Sequence, residues 1–272
     1  MSYILFWSHI LNNIFKYLDF HSMRNVRSVC KNWRNESNKQ LWWKMIRIRI
    51  HFRNYQMDDL PYLCELYNQI SRSNSKFKEI HFEFLDLNNF LPYLPPNAFK
   101  KIQNISFISC NISSLYLSYQ TLSNIGQLKI FGANLKKVPS HLIASSLTKQ
   151  KKVILSCCQF SEEQLNCLFR KISSSSSTIM LKDLTITVNQ TMKNIDSKLL
   201  ASAVIKLERV KFSFCSLSEK QITSLLREID KGEDKVKLQH LNLLCEYKTK
   251  FIPNKIVKRV RSKLKTLKIE DR

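Results

Sequence analysis

Eight cysteines and six histidines are the residues of this chain best suited to metal or thiol chemistry, and their spacing argues against both. The cysteines stand at 30, 64, 110, 157, 158, 167, 215 and 245, with no CxxC pair. The histidines, at 9, 21, 51, 81, 141 and 240, form no HExxH and no paired zinc half-site. Only 3 of the 272 residues are Gly, and neither GxGxxG nor GxxxxGK[ST] occurs, so a phosphate cradle made of backbone amides has no sequence support. No Ser/His/Asp grouping or thiol with a base sits in a recognisable motif. No catalytic residue, metal or cofactor is therefore expected, and the chemistry to look for is that of binding surfaces.

Charge and hydropathy narrow the kind of surface. The chain has 44 Lys+Arg against 21 Asp+Glu, a net charge of +23, but the first two hundred residues contain no long basic run. Dispersed charge of this kind reads as a solvated surface, so nucleic acid is not the expected partner. No apolar stretch reaches about 18 residues, and no leader-like start is present, so no membrane contact is expected. Reduced thiols fit a cytoplasmic or nuclear setting. The hydrophobic share of 44% is enough for a folded core.

Two elements must then position the binding residues. In the first fifty residues, Ile10, Leu11, Ile14, Phe15 and Leu18 recur at helical spacing. A second helix, capped by Ser22, would bury Met23, Val26, Val29, Cys30 and Trp33, and Leu41-Trp42-Trp43 follows. A three-helix unit this small cannot bury so many large apolar groups by itself. Apolar surface left over on a small helical unit marks a partner groove.

The run Ile10-Leu11-x-x-Ile14-Phe15-x-Tyr17-Leu18-Asp19, then Val29-Cys30-Lys31-x-Trp33, then Leu41-Trp42, resembles the F-box. It departs from the family's usual Leu-Pro opening with Phe6-Trp7, and from its Asp-Leu at the second helix with Ser22-Met23. The resemblance implies docking on a Skp-type adaptor and, through it, on cullin and RING subunits of a ubiquitin ligase. It implies adaptor-binding roles for Phe6, Trp7, Ile10, Ile14, Phe15, Leu18, Val29, Cys30 and Trp33.

The rest of the chain repeats. A helix is expected over Met57–Ser71, and beyond it apolar pairs at alternate positions recur as Ile80/Phe82, Ile105/Phe107, Leu128/Ile130 and Val153/Leu155. They continue as Leu184/Ile186, Val210/Phe212, Leu241/Leu243 and Leu267/Ile269, in steps of 23 to 31 residues. Such a period belongs to a solenoid built from one short strand and one return segment. Three residues past the second apolar position stand Cys110, Ala133, Cys158, Asn189 and Cys215, and the pattern LxLxx[N/C]xL resembles the leucine-rich repeat. A thiol or amide there can satisfy backbone groups exposed as the chain turns inward. Residues 150–172 and 207–229 share nine identities over 23 positions, including Ser161-Glu162-x-Gln164 and Ser218-Glu219-x-Gln221, which read as helix starts. Return through irregular or short helical turns is expected after Leu94-Pro95-Pro96 and Val138-Pro139. The basic stretch Lys255–Lys268 is expected to be the outer helix of a terminal repeat, and Ser173–Ser177 a loop.

The expected architecture is α/β: an F-box over 1–50, a helical linker or cap over 51–76, and a leucine-rich-repeat horseshoe of about eight repeats over 77–272. The parallel sheet lines its concave face, and the strand positions between and on either side of each apolar pair point outward there, Glu83, Ser106 and Ser213 among them. Of these, His81, Lys129, Phe131, Lys152, Ile154, Arg209, Lys211 and His240 are the candidates for binding a target. The expected function is that of a non-catalytic substrate receptor of an SCF-type ligase. The alternative is a basic repeat scaffold that binds nucleic acid or protein with no role in degradation.

Overall fold

The computed structural model describes residues 10, 11, 14, 29–31, 33, 47–51, 79–83, 103–112, 125–174, 179–232, 236–245 and 252–271. The expected helix over Met57–Ser71 and the segment Leu94-Pro95-Pro96 lie outside them, as do residues 175–177 of the expected serine loop.

Short alternating runs make short strands, and there are nine among the described residues. They are β1 (Arg47–His51), β2 (Glu79–Glu83), β3 (Asn104–Ile108), β4 (Gln127–Phe131), β5 (Lys152–Ser156), β6 (Asp183–Thr187), β7 (Arg209–Ser213), β8 (His240–Cys245) and β9 (Thr266–Asp271). All pair in parallel, and their order in the sheet is their order in the chain. The register never slips: Ile105 faces Leu128, which faces Val153, Leu184, Val210, Leu241 and Leu267 in turn. A slip of one residue would turn every one of these core side chains to the opposite face, so burial holds the register. The protein is an α/β protein built on this sheet.

Parallel neighbours need a crossover. Helices α1 (Ser140–Thr148), α2 (Glu162–Ser173), α3 (Ser197–Val204), α4 (Glu219–Lys231) and α5 (Asn254–Lys263) supply it, with a 3-10 turn over Gln190–Asn194 before α3. Each crossover packs an apolar stripe onto the sheet: Leu165, Leu168, Phe169 and Ile172 of α2, and Ile222, Leu225, Leu226 and Ile229 of α4, are fully buried. Burying one such side chain contributes about 1.5–3 kcal/mol. The basic stretch forms α5 as expected, with Val260 buried and Ile256 and Val257 packed against the core.

The turns after β3 to β7 share one geometry. Ser109, Gly132, Cys157, Val188 and Phe214 immediately follow β3 to β7, and all have positive φ, between 51° and 66°. The next residue in each case, Cys110, Ala133, Cys158, Asn189 or Cys215, is buried. The thiols donate back across a repeat: Cys110 Sγ to Phe82 O (3.4 Å), Cys158 Sγ to Ile130 O (3.3 Å) and Cys215 Sγ to Ile186 O (3.1 Å). Asn189 Nδ2 does the same to Cys158 O at 3.4 Å. The left-handed residue turns the chain inward, and the Cys or Asn after it donates to a carbonyl of the preceding repeat.

Ser161 and Ser218 cap α2 and α4 with full capping boxes. The same glutamines also reach backwards. Gln164 Nε2 donates to Leu135 O (2.7 Å) and Val138 O (2.5 Å), and Gln221 Nε2 to Met192 O (2.8 Å) and Ile195 O (2.6 Å).

Three features differ from the sequence expectation or add to it. Strand β1 precedes the first expected repeat and spans residue 50, where the N-terminal segment was expected to end. Its signal was present in Ile48 and Ile50, which face Ile80 and Phe82. Val138-Pro139 opens the nine-residue helix α1 rather than a short turn, because Pro139 O accepts from the amides of Leu142 and Ile143 and starts helical bonding. Finally, Ser106, Ser213 and Glu83 were expected on the exposed row but are only 2%, 3% and 8% exposed. Ser106, between His81 and Lys129, and Ser213, between Thr187 and Leu244, are short enough to be covered by these cross-strand neighbours.

Candidate functional site

The chain presents two surfaces, one helical and one on the sheet. In the N-terminal segment Ile10, Leu11 and Ile14 are helical, and so are Val29, Lys31 and Trp33. Leu11 is buried, whereas Ile14 is 47% exposed and Val29 62% exposed. Cys30 is exposed as well, and its Sγ accepts from the Trp33 amide at 3.4 Å, while Trp33 is half-buried. Large apolar side chains held on helical backbone and facing solvent have not yet met what covers them. Phe6, Trp7, Phe15 and Leu18 lie outside the described residues.

The second surface is the face of the sheet opposite the helices, where alternate strand positions form straight rows. One row runs Glu79, Asn104, Gln127, Lys152, Asp183, Arg209, His240, Thr266. The next runs His81, Ser106, Lys129, Ile154, Thr185, Lys211, Asn242, Lys268. The eight candidate residues fall on this face in two groups. At the β2 end, Glu79 takes both His81 Nε2 (3.2 Å) and Lys129 Nζ (3.9 Å). Phe131, 47% exposed, stands on β4, and Ile154 lies beside Lys129 on β5.

The structure brings Lys152, Arg209, Lys211 and His240 together at the other end, along a groove of ≈ 360 Å³ over β5 to β9. Asp183 touches Arg209 (Oδ1 to Nε, 3.6 Å), and His240 Nδ1 is hydrogen-bonded to Thr266 Oγ1. Asp183, Thr185, Asn242, Thr266 and Lys268 line the same groove and were not among the candidates. Their signal was available, since they occupy the same alternate strand positions. Lys152, Lys211 and Lys268 make no ion pair among the described residues.

Among the described residues, no three His, Cys, Asp or Glu side chains are grouped to hold a metal ion. Burial pushes the Cys158 thiol up to about 11, the wrong direction for a nucleophile. The Glu208 carboxyl is held below the ordinary range by its hydrogen bond from Lys182 Nζ at 2.7 Å, an ion pair just before strands β6 and β7. No helix among the described residues is long and apolar enough to cross a membrane.

These features define a class first: an α/β protein with an in-order parallel sheet, preceded by a helical segment with exposed apolar side chains. Residues 8–45 match the family model of the F-box domain. That match supports an F-box protein and, with it, a segment of the kind that binds a Skp-type adaptor. No curated protein matches the chain.

Proposed function

We propose that this protein is a substrate receptor of an SCF-type ubiquitin ligase, and that the sheet and its crossovers are a leucine-rich-repeat solenoid. The F-box match over residues 8–45 is the observation that carries this reading. In it the N-terminal segment is a three-helix F-box. Ile10, Ile14, Val29, Cys30 and Trp33, together with Phe6, Trp7, Phe15 and Leu18, bury themselves against the adaptor. The exposure of Ile14 and Val29 supports that use, since burial of each would contribute about 1.5–3 kcal/mol to docking. The adaptor would link the chain to cullin and RING subunits in the cytoplasm or nucleus.

The repeat assignment is supported by the unbroken register of nine parallel strands and by the left-handed residue and buried Cys, Asn or Ala that follow five of them. The sheet face, with His81, Lys129, Phe131, Lys152, Ile154, Arg209, Lys211 and His240, would hold the target. The chain itself performs no chemistry in this reading. It raises the effective concentration of a target lysine near the ubiquitin carrier, and such positioning accelerates transfer without a catalytic group on the receptor.

Co-purification with a Skp-type adaptor tests this. Wild type should retain the adaptor at both about 0.15 M and about 0.5 M salt, because an apolar interface is not screened. Ile14→Asp/Val29→Asp should lose it at both. An adaptor absent from wild type, or retained equally by the double variant, overturns the reading. A retained adaptor without cullin would leave a scaffold and not a ligase receptor.

A further inference from the structure

We propose that the groove over β5 to β9 binds an acidic segment of the target protein in extended conformation, laid across the strands. This rests on the receptor reading and names the chemistry of what that face takes. The sheet face is electrically divided. At the β2 end the acids Glu79 and Glu83 stand on one strand, and Glu79 is the ion partner of Lys129. At the β9 end, Lys152, Arg209, Lys211 and Lys268 line one groove with a single acid, Asp183. That acid is engaged with Arg209, so three lysines remain without an ion partner among the described residues.

The spacing of these cations selects the ligand. Lys152 on β5 and Lys268 on β9 are four strands apart, about 19 Å at the usual spacing of parallel strands. About six residues of extended chain span that distance, and alternate side chains point the same way. Carboxylates along one side of such a chain stand about 7 Å apart and the lysines about 10 Å apart, two strands at each step, so a run of four such carboxylates puts one within side-chain reach of each of Lys152, Lys211 and Lys268. A single phosphate group cannot reach more than one or two of them. The one arginine, which would give a phosphate its two-pronged contact, is already held by Asp183.

Nucleic acid is poorly served here, since no Phe, Tyr or Trp lines the groove to stack a base.

The test uses the full chain with its Skp-type adaptor and a fluorescein-labelled peptide of alternating Glu and Ser, read by anisotropy. Its Gln/Ser counterpart and a single-stranded oligothymidylate serve as comparisons. We expect Lys211→Glu/Lys268→Glu to weaken binding of the acidic peptide by about tenfold or more. Lys220→Glu/Lys231→Glu, on α4 at the outer surface, carries the same change in net charge and should leave binding unchanged. Equal losses from the two variants would mean general attraction to a basic protein and would overturn the proposal. So would binding of the Gln/Ser peptide as tightly as the acidic one, no binding by wild type, or displacement of the peptide by an equimolar amount of the oligonucleotide. The adaptor assay is separate: loss of peptide binding with adaptor retained sinks only this inference, whereas loss of the adaptor with peptide binding retained sinks only the ligase reading.

Discussion

Gln164 and Gln221, 57 residues apart in the chain, occupy equivalent places in the fold: each closes a capping box and also donates its carboxamide to two carbonyls of the preceding repeat. Both are almost fully buried, at 1% and 2% exposure. A local helix start is thereby tied to its neighbour through a side chain. This places part of the stability between repeats rather than within one.

That dual role predicts an uneven mutational response. Gln164→Ala removes the cap bond, takes the carboxamide donor from Val138 O and leaves Leu135 O with only the Val138 amide, so unfolding stability should fall by about 2–3 kcal/mol in a urea titration. Gln164→Glu keeps an acceptor for the Ser161 amide but points a carboxylate at two carbonyl oxygens. Its folded-state pKa should therefore lie above the unfolded value of about 4.3. The variant should be nearest to wild type below that pH and should lose stability as pH rises through the folded-state value. A Gln164→Glu protein whose stability relative to wild type is unchanged from pH 4 to about pH 8 would contradict the donor role.

Neighbouring cysteines should react very differently. Cys157 is exposed, whereas Cys158 is buried with its Sγ on Ile130 O. Iodoacetamide should modify Cys157 in the native protein and spare Cys158, as peptide mapping of the Cys157→Ser variant would show. The raised thiol also gives a linkage. The neutral form is favoured in the folded state, with a pKa of about 11 against an ordinary 9.0. Its contribution is present below pH 9.0 and is lost as pH rises through about 11, because the unfolded chain gives up its proton first. Cys158→Ala should lack that component when its alkaline denaturation is compared with wild type.

Backbone conformation after the strands sets a further pair of expectations. Val188 has φ 54°, where a β-branched residue is strained, and its side chain is 47% exposed. Val188→Gly should raise stability by about 1 kcal/mol, the relief of that strain exceeding the loss of a half-exposed side chain. Gly132 sits at the matching turn with φ 66°, and a Cβ there would come 3.1 Å from Ser109 Oγ. Gly132→Val should lower stability by about 1–2 kcal/mol. Thermal melts showing both changes in the same direction would refute the shared-turn account.

Much of this was legible along the chain. The apolar pairs from Ile80/Phe82 to Leu267/Ile269 mark strand positions because alternation is a local property of extended backbone. The offset of 57 between Ser161 and Ser218 located two helix starts, since a cap depends on residues three apart. Strand β1 was missed although Ile48 and Ile50 carry the same signal, because a reading of 1–50 as helical left no place for a strand there. At α1, Pro139 read as an interruption, whereas its fixed φ suits a helix start.

By itself, then, the sequence determined where strands, turns and caps lie, and it determined the F-box-like segment, because those depend on residue type and short spacing. Only the tertiary structure decided which outward positions are buried, as with Ser106 and Ser213, and which charges cancel, as Glu79 does with Lys129. It also gathered Lys152, Lys211 and Lys268, separated by tens of residues, into one groove. Burial and charge balance are set by neighbours across the sheet, and those are fixed by the parallel register of distant segments.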